Sequence, residues 1–587
     1  MRTFLPSAPV LAALLLTGGC ASLPSARPAP DEPAANVAAP VPAIEDAPVV
    51  GAAPETPFAT AAARAQYHIL AGELAASRGA PAQAAAEFAA ALETVRDAEL
   101  AQRATGLAVL ARDEALALEL AHRWLELDPD SAEPREVIAG LSLRQGDLTA
   151  TLEQTRALVR GHPAGPSEGF LHVAQILMQA DAERADAALS VMGQLVTEWP
   201  RLAGAHHALG VVALHFERLD LAERAIAAAR QLEPGNRDHE LLQVGIWVGQ
   251  NRIEQADAHI AKLAAASDKP AELRLGYARL LLEKNHREAA QRQLRAILAA
   301  DPVNVDAHYA LGVLHFNEGE FKAAEKHLRA ALSGPRMQDA ALQLGRVAEA
   351  LQRPEEALDH YRRVRHGPAA IEAALRSASV LARIDRMSEA QVIIGELRDR
   401  FPQLATRLDL AEGELLIDSG DAEAAFALYE RALVDDPDNL DLLYGRSLAR
   451  EKLGDLVGAE QDLRKILSRE PDDARALNAL GYMLTVHTDR LDEAETLIRR
   501  ALELEPDDAA IIDSMGWLHF KRGRHEQALT LLRKAYARYP DPEVAAHLGE
   551  VLWVMGRHEE AEAIWDEALR SDADHPVVLE TRQRLRP

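Results

Sequence analysis

The feature that most limits how this chain can fold is a recurrence at a period near 34 residues. The segment ALGYMLTVHTDRLDEAETLIRRALELEP closes at Pro506, and SMGWLHFKRGRHEQALTLLRKAYARYP follows and closes at Pro540. Each has Gly early in a first apolar-periodic stretch and Ala early in a second. Another Ala stands seven residues on, and Pro ends the unit. The same ruler places unit starts at 65, 98, 132, 169, 203, 237, 271, 305, 338, 371, 406, 440, 474, 509 and 542, spaced by 33 to 37 residues. The twentieth position is Ala in fourteen of the fifteen units, with Ala494 one place late, and Thr151 in the remaining one.

Two antiparallel helices per unit explain the pattern, because the second can lie close to the first only where side chains are small. Gly72, Gly210, Gly312, Gly345, Gly413, Gly481, Gly516 and Gly549 serve the same approach from the eighth position. Thr105, Ile176 and Val244 depart from it. Prolines such as Pro129, Pro234, Pro437 and Pro540 stop the second helix before the next unit begins. A lone pair cannot bury its apolar faces, so the pairs must stack. The pattern resembles the tetratricopeptide consensus, with a small residue at position 8, Ala at 20 and 27, and Pro at 32. The resemblance implies an all-α fold, a right-handed superhelical solenoid with a concave groove. Residues 58–587 are expected to form it, in about 15 repeats, which leaves no room for a catalytic domain of ordinary size.

Composition agrees with stacked helices. The chain is 48% apolar but only 4% aromatic, which suits helices packed through small side chains and suits a β-sandwich poorly. Its formal charge of −27 repels phosphate backbones and argues against nucleic acid as a partner. A single cysteine, Cys20, excludes an intramolecular disulfide and a cysteine-based metal cluster.

The first 57 residues differ in kind. Arg2 precedes a short apolar run, Val10 to Leu16, and then Thr17-Gly18-Gly19-Cys20. The run is too short to span a bilayer and reads as a signal peptide over residues 1–19. Small residues before a lone Cys resemble the bacterial lipobox, which implies cleavage before Cys20 and its lipidation, with acyl chains such as palmitate. Ala21 follows, and by resemblance to other lipoproteins this implies sorting to the outer membrane with a periplasm-facing body. From Ala21 to Pro57 there are nine prolines, so residues 20–57 are expected to act as an extended tether. In polyproline-like form, at ~3.1 Å per residue, it would reach on the order of 100 Å.

Motifs of catalysis are scarce. Gly165-Pro166-Ser167-Glu168-Gly169 matches G-x-S-x-G, but that nucleophile elbow needs a strand before the serine, and here the motif falls between helical repeats. The 21 histidines include no H-E-x-x-H, and adjacent His206 and His207 point apart on a helix. No phosphate-binding glycine loop is present. The expectation is a protein without enzymatic activity, cofactor or metal.

A binding surface is expected instead. Positions 2, 5, 9 and 12 of the first helix tend to face the groove in arrays of this kind. Here they include His207, Tyr309, Phe316, Tyr444, Asn478, Tyr482, Asp513, Trp517, Phe520 and Trp553. Aromatic anchors give large contact area at low entropic cost, and Asn478 offers hydrogen bonds to a peptide backbone. Trp124, Trp247 and Trp565 fall at packing positions.

Beyond the generic repeat, the two ends resemble a particular group. Near the start this rests on LAGELAASRGAPAQAAAEFAAALETVRDAELAQRATGLAVLARD with WLELDP, and near the end on DSMGWLHFKRGRHEQAL and YPDPEVAAHLGEVLWVMGRHEEA. They are similar to long proteobacterial tetratricopeptide lipoproteins that act as adaptor for a periplasmic carboxyl-terminal-processing protease. The resemblance implies binding of that protease and promotion of peptidoglycan-hydrolase degradation. An assembly or piloting factor for outer-membrane or secretion-machine subunits is the first rival reading, and a polysaccharide-export scaffold the second.

Overall fold

A computed structural model describes residues 60–571 and 575–586 of the chain. The expected signal peptide, Cys20 and the tether lie outside the described residues. Within them every regular element is helical: thirty-one α-helices and three short 3-10 turns. None of these helices is long and apolar enough to cross a membrane.

Helix boundaries follow local chemistry. First helices begin at Ala98, Ala203, Arg237, Val305, Leu440, Ala474, Ala509 and Pro542, on the residues that the 34-residue ruler marks. Asp473 and Asp508 accept hydrogen bonds from the backbone N–H of Ala476 and Ile511, the N-cap arrangement worth about 1 kcal/mol. Two first helices start three residues before the ruler's mark, at Pro166 and Pro368. Gly165 and Gly367 take φ of +95° and +76° there, and the proline's fixed φ opens the helix at its first position.

The described chain divides into two compact units, one ending at Pro302 and one beginning at Val303. In both, consecutive helix pairs pack in sequence order around continuous apolar clusters. The residues at position 20 lie at the centre of each pair. All fifteen, from Ala84 to Ala561 and including Thr151, are 0% exposed. Thr151 keeps its hydroxyl satisfied by donating to the Asp147 carbonyl at 2.7 Å, so a polar residue occupies the alanine slot without an unpaired group.

The glycine at position 8 has a partner that the consensus does not name. A Cβ built at Gly72 would lie 2.5 Å from the Phe88 ring, at Gly312 2.5 Å from Leu328, and at Gly516 2.8 Å from Leu532. Gly345, Gly413 and Gly549 likewise face Tyr361, Tyr429 and Trp565. These partners stand at position 24 of their repeats and are buried. The four rings at that position, Phe88, Tyr361, Tyr429 and Trp565, all sit against glycine. Where position 8 is larger, position 24 is not aromatic: Thr105 goes with Ala121, Ala139 with Thr155, and Ser447 with Leu463. Tyr429 is held from both sides, because a Cβ at Gly445 of the following helix would also come within 2.5 Å of its ring. Trp124 and Trp565 are buried and Trp247 is half-buried.

The outer surface carries ion pairs that step from one repeat to the next. Glu460 and Glu493 are bridged by both Arg464 and Arg490 at 2.6–2.8 Å. The same quartet recurs as Glu325, Glu356, Arg329 and Arg353. Solvent-exposed pairs contribute at most about 1 kcal/mol each, so these set register between neighbours more than they stabilise the stack. After the fifteenth pair comes a helix that the ruler does not mark, Pro576–Leu585. Its Val578 joins the cluster of Val551 and Trp565, and Arg584 binds Glu550 through two hydrogen bonds of 3.0 and 2.5 Å.

Overpacking a core costs about 1–3 kcal/mol, so Gly413→Ala, which drives a methyl group into Tyr429, should destabilise the second unit by that amount. Gly106, in helix Ala98–Leu110, meets no atom within 4 Å. Gly106→Ala should therefore stabilise by roughly 0.5–1 kcal/mol. Chemical denaturation followed by circular dichroism compares the two directly.

Candidate partner-binding surface

Three successive first helices, Ala474–His487, Ala509–Lys521 and Pro542–Val554, run side by side in the second unit. A step of one repeat carries Tyr444 to Asn478, Asn478 to Asp513, and Asp513 to His547. The structure turns this column into a network centred on His547. Its Nδ1 lies 2.9 Å from Asp513 Oδ2, and its Nε2 lies 3.4 Å from the Tyr482 hydroxyl. The imidazole also stacks on Trp517, with ring centroids 4.1 Å apart and planes 20° from parallel. Phe520 continues the aromatic row at 4.9 Å from Trp517, and Lys521 places its Nζ 5.2 Å from the Trp517 centroid.

Four of the expected groove residues, Tyr482, Asp513, Trp517 and Phe520, thus meet in one place. His547 was not among them, because it stands at position 6 of its repeat and not at 5. Its spacing of 34 residues from Asp513 is the signal that marks it. Asp513 and Trp517 are buried, whereas Tyr482 and Phe520 are half-buried and Lys521 is exposed. Burial, and then the Asp513 carboxylate, push the Tyr482 phenol well above its ordinary pKa, so it is a neutral hydrogen-bonding group. Asn478 is half-buried, and its Oδ1 accepts no hydrogen bond within the described residues. That oxygen is itself enclosed, so the amide stands inside the surface rather than open to a partner.

The other expected residues lie apart. Tyr444 is half-buried under the Arg475 guanidinium at 5.4 Å, itself tied to Asp441. Trp553 stacks on His558 at 4.2 Å and lies 5.8 Å from Trp565, near the last helix. Tyr309 and Phe316 pack on the cluster of Leu328, Leu344 and Val347, each with an arginine over its ring, Arg336 and Arg346. His207, in the first unit, is turned inward against His239 with ring centroids 5.0 Å apart, while His206 reaches the Pro200 carbonyl. Neither Nδ1 of the buried pair, His207 or His239, is hydrogen-bonded.

The G-x-S-x-G match has a structural use. Ser167 stands in the first turn of helix Pro166–Leu177, and a helix, Leu148–Gly161, precedes it where an elbow requires a strand. A Cβ at Gly204 would come within 2.7 Å of Ser167, so the pair lets two first helices touch.

Family models agree with this architecture. Models of the tetratricopeptide repeat match residues 275–338, 416–481, 472–541 and 514–576. A TPR repeat-containing protein of Pseudomonas aeruginosa is 39% identical over 207 residues, which are 35% of each chain, so the match spans about a third of that relative's length. Among solved structures, a TPR protein of Thermus thermophilus is 26% identical, with 30% of this chain and 96% of that one covered and a TM-score of 0.28. A tetratricopeptide repeat protein of Parabacteroides merdae is 19% identical, with coverage of 48% and 99% and a TM-score of 0.30. The helix pairs within those matched residues are tetratricopeptide repeats, and the remaining pairs share their two-helix fold, one that typically serves as a non-catalytic scaffold for protein–protein interaction.

The buried histidine pair sets a pH dependence. Burial, and then the neighbouring His239, hold the His207 imidazole down at about 4 against an ordinary 6.5. Between those values the unfolded chain binds the proton and the folded chain does not, so stability falls as pH drops from 6.5 toward 4. The loss attributable to His207 is on the order of 3 kcal/mol. His207→Leu should flatten this part of the stability profile, measured by denaturation at a series of pH values.

Proposed function

We propose that this chain is a lipid-anchored scaffold of the outer membrane, facing the periplasm. It binds a carboxyl-terminal-processing protease and promotes degradation of peptidoglycan hydrolases. The observation that carries the scaffold part is the row of first helices around His547. There aromatic, acidic and amide groups recur at one-repeat spacing, with Tyr482 and Phe520 half-buried and Lys521 exposed at the edge of the cluster. The anchor rests on Cys20 behind its short apolar leader. Several acyl chains on that residue would hold the protein nearly permanently, where one would be reversible. The choice of protease rests on the resemblance of the chain's two ends to adaptor lipoproteins.

Tethering a protease and its substrate to one array raises their effective concentration without any new catalytic group. Loss of the scaffold should then leave the protease folded while its hydrolase substrates accumulate. Capture of partners by the full chain, tagged at its carboxyl terminus and recovered from detergent-solubilised membranes, is the direct test. A carboxyl-terminal-processing protease recovered together with cell-wall hydrolases is the expected result. Recovery of β-barrel or pilus subunits without a protease would move the assembly reading to the front. In the same cells, Cys20→Ser should abolish palmitate incorporation and release the protein from the membrane fraction. Continued sedimentation with membranes would refute the anchor.

A further inference from the structure

The turn that joins the two helices of the eighth repeat gathers groups of a kind found at no other glycine turn of the array. Helix Val305–Asn317 ends there, and helix Phe321–Ala330 begins after three intervening residues. Gly319 takes φ of +76°, its N–H donates to the Phe316 carbonyl at 3.0 Å, and the Glu320 N–H donates to the His315 carbonyl at 2.8 Å. This Schellman pair of hydrogen bonds folds the chain back so that residue 320 returns to residue 315. His315 Nδ1 consequently lies 2.6 Å from Glu320 Oε2 and 3.8 Å from Glu318 Oε2. One donor atom from each of the three residues lies within 4.8 Å of the other two. Equivalent turns carry different neighbours: Leu453-Gly454-Asp455, Arg522-Gly523-Arg524 and Met555-Gly556-Arg557.

Behind the turn stand two more imidazoles. The His327 ring is stacked on His315, with centroids 5.5 Å apart and planes 16° from parallel. His308 Nδ1 lies 3.0 Å from His327 Nδ1. The stack fixes the plane of the buried His315 ring so that its Nδ1 edge faces the turn. Orientation of a ligand ring by its surroundings is what a metal site needs beyond the ligands themselves.

We propose that His315, Glu318 and Glu320 bind a divalent transition-metal ion of the zinc type. An imidazole nitrogen with two carboxylates selects Zn²⁺, Co²⁺ or Ni²⁺ over Ca²⁺ or Mg²⁺, which take all-oxygen sets. The two carboxylates balance the charge of the ion. With ligand bonds of about 2.1 Å, a tetrahedral ion separates its donors by about 3.4 Å. The His315–Glu320 pair therefore opens slightly and Glu318 closes in. Glu320 is 57% exposed, so it rearranges without disturbing the core. The fourth position faces solvent and accepts water or a group from a bound protein.

A search for H-E-x-x-H or clustered cysteines passes over this site, because the ligands spread across a helix end, a turn and a helix start. The test uses the full chain without a polyhistidine tag, stripped of metal and titrated with Zn²⁺ by calorimetry and with Co²⁺ by visible absorption. One saturable ion per chain is expected. The double variant Glu318→Gln, Glu320→Gln keeps side-chain size at two surface positions and should retain full helicity by circular dichroism. Its affinity should fall at least about tenfold, since even outer-shell changes cost that much. Equal stoichiometry and affinity in the double variant would assign the binding to other histidines and overturn the proposal. Absence of saturable binding by the unaltered chain would do the same.

Discussion

The close approach of two helices within each pair is the constraint on which the rest of this structure depends. It is set at position 20, where no side chain larger than threonine occurs and no surface remains exposed to water. With the axes held that near, the larger side chains must interlock above and below the contact. A pair shaped this way shows apolar faces to both sides, and only another pair covers them. The capping aspartates, the proline stops and the surface ion pairs then adjust an arrangement that the central contact has already dictated.

That contact is also why so much of the fold is legible in the sequence. An alanine that can be nothing larger recurs on a ruler, and the ruler locates helices to within a residue over most of the chain. It misplaces the starts at Pro166 and Pro368, where a glycine–proline step opens the helix early. It also marks no unit start at helix Pro576–Leu585, whose ten residues are too few to carry the repeat signature. The pairing of positions 8 and 24 escapes it for another reason. The consensus treats positions one at a time, whereas packing acts on volumes that touch.

The candidate surface is legible in outline and not in detail. Position alone puts Trp517, Asp513, Tyr482 and Phe520 on one face, and the structure brings them together around His547. Position does not reveal that Asp513 and Trp517 are buried and that both meet His547, one through a hydrogen bond and the other through ring stacking. The part of the cluster that meets solvent is therefore its rim, the edges of Tyr482 and Phe520 together with Lys521, rather than its aromatic centre. His207 shows the same effect in the first unit, where a groove position is turned against His239. Residues on adjacent first helices are close enough to satisfy one another before any partner arrives.

The matching of glycine to ring has a consequence for how such an array can change. Each repeat is a bipartite module whose two halves are cut to each other: a first helix with glycine at its eighth position accepts Phe88, Tyr361, Tyr429 or Trp565. Where the eighth position is Thr105, the residue at position 24 is the small Ala121. Exchange of whole repeats preserves every match, whereas a crossover in the turn between two helices splits one. Gene conversion, recombination and deliberate shuffling therefore have favoured breakpoints, lying between repeats and not within them. Single substitutions toward the consensus are not neutral either, since glycine in place of the buried Thr105 would leave a void in its pair. The array is modular in its repeats and epistatic inside each one.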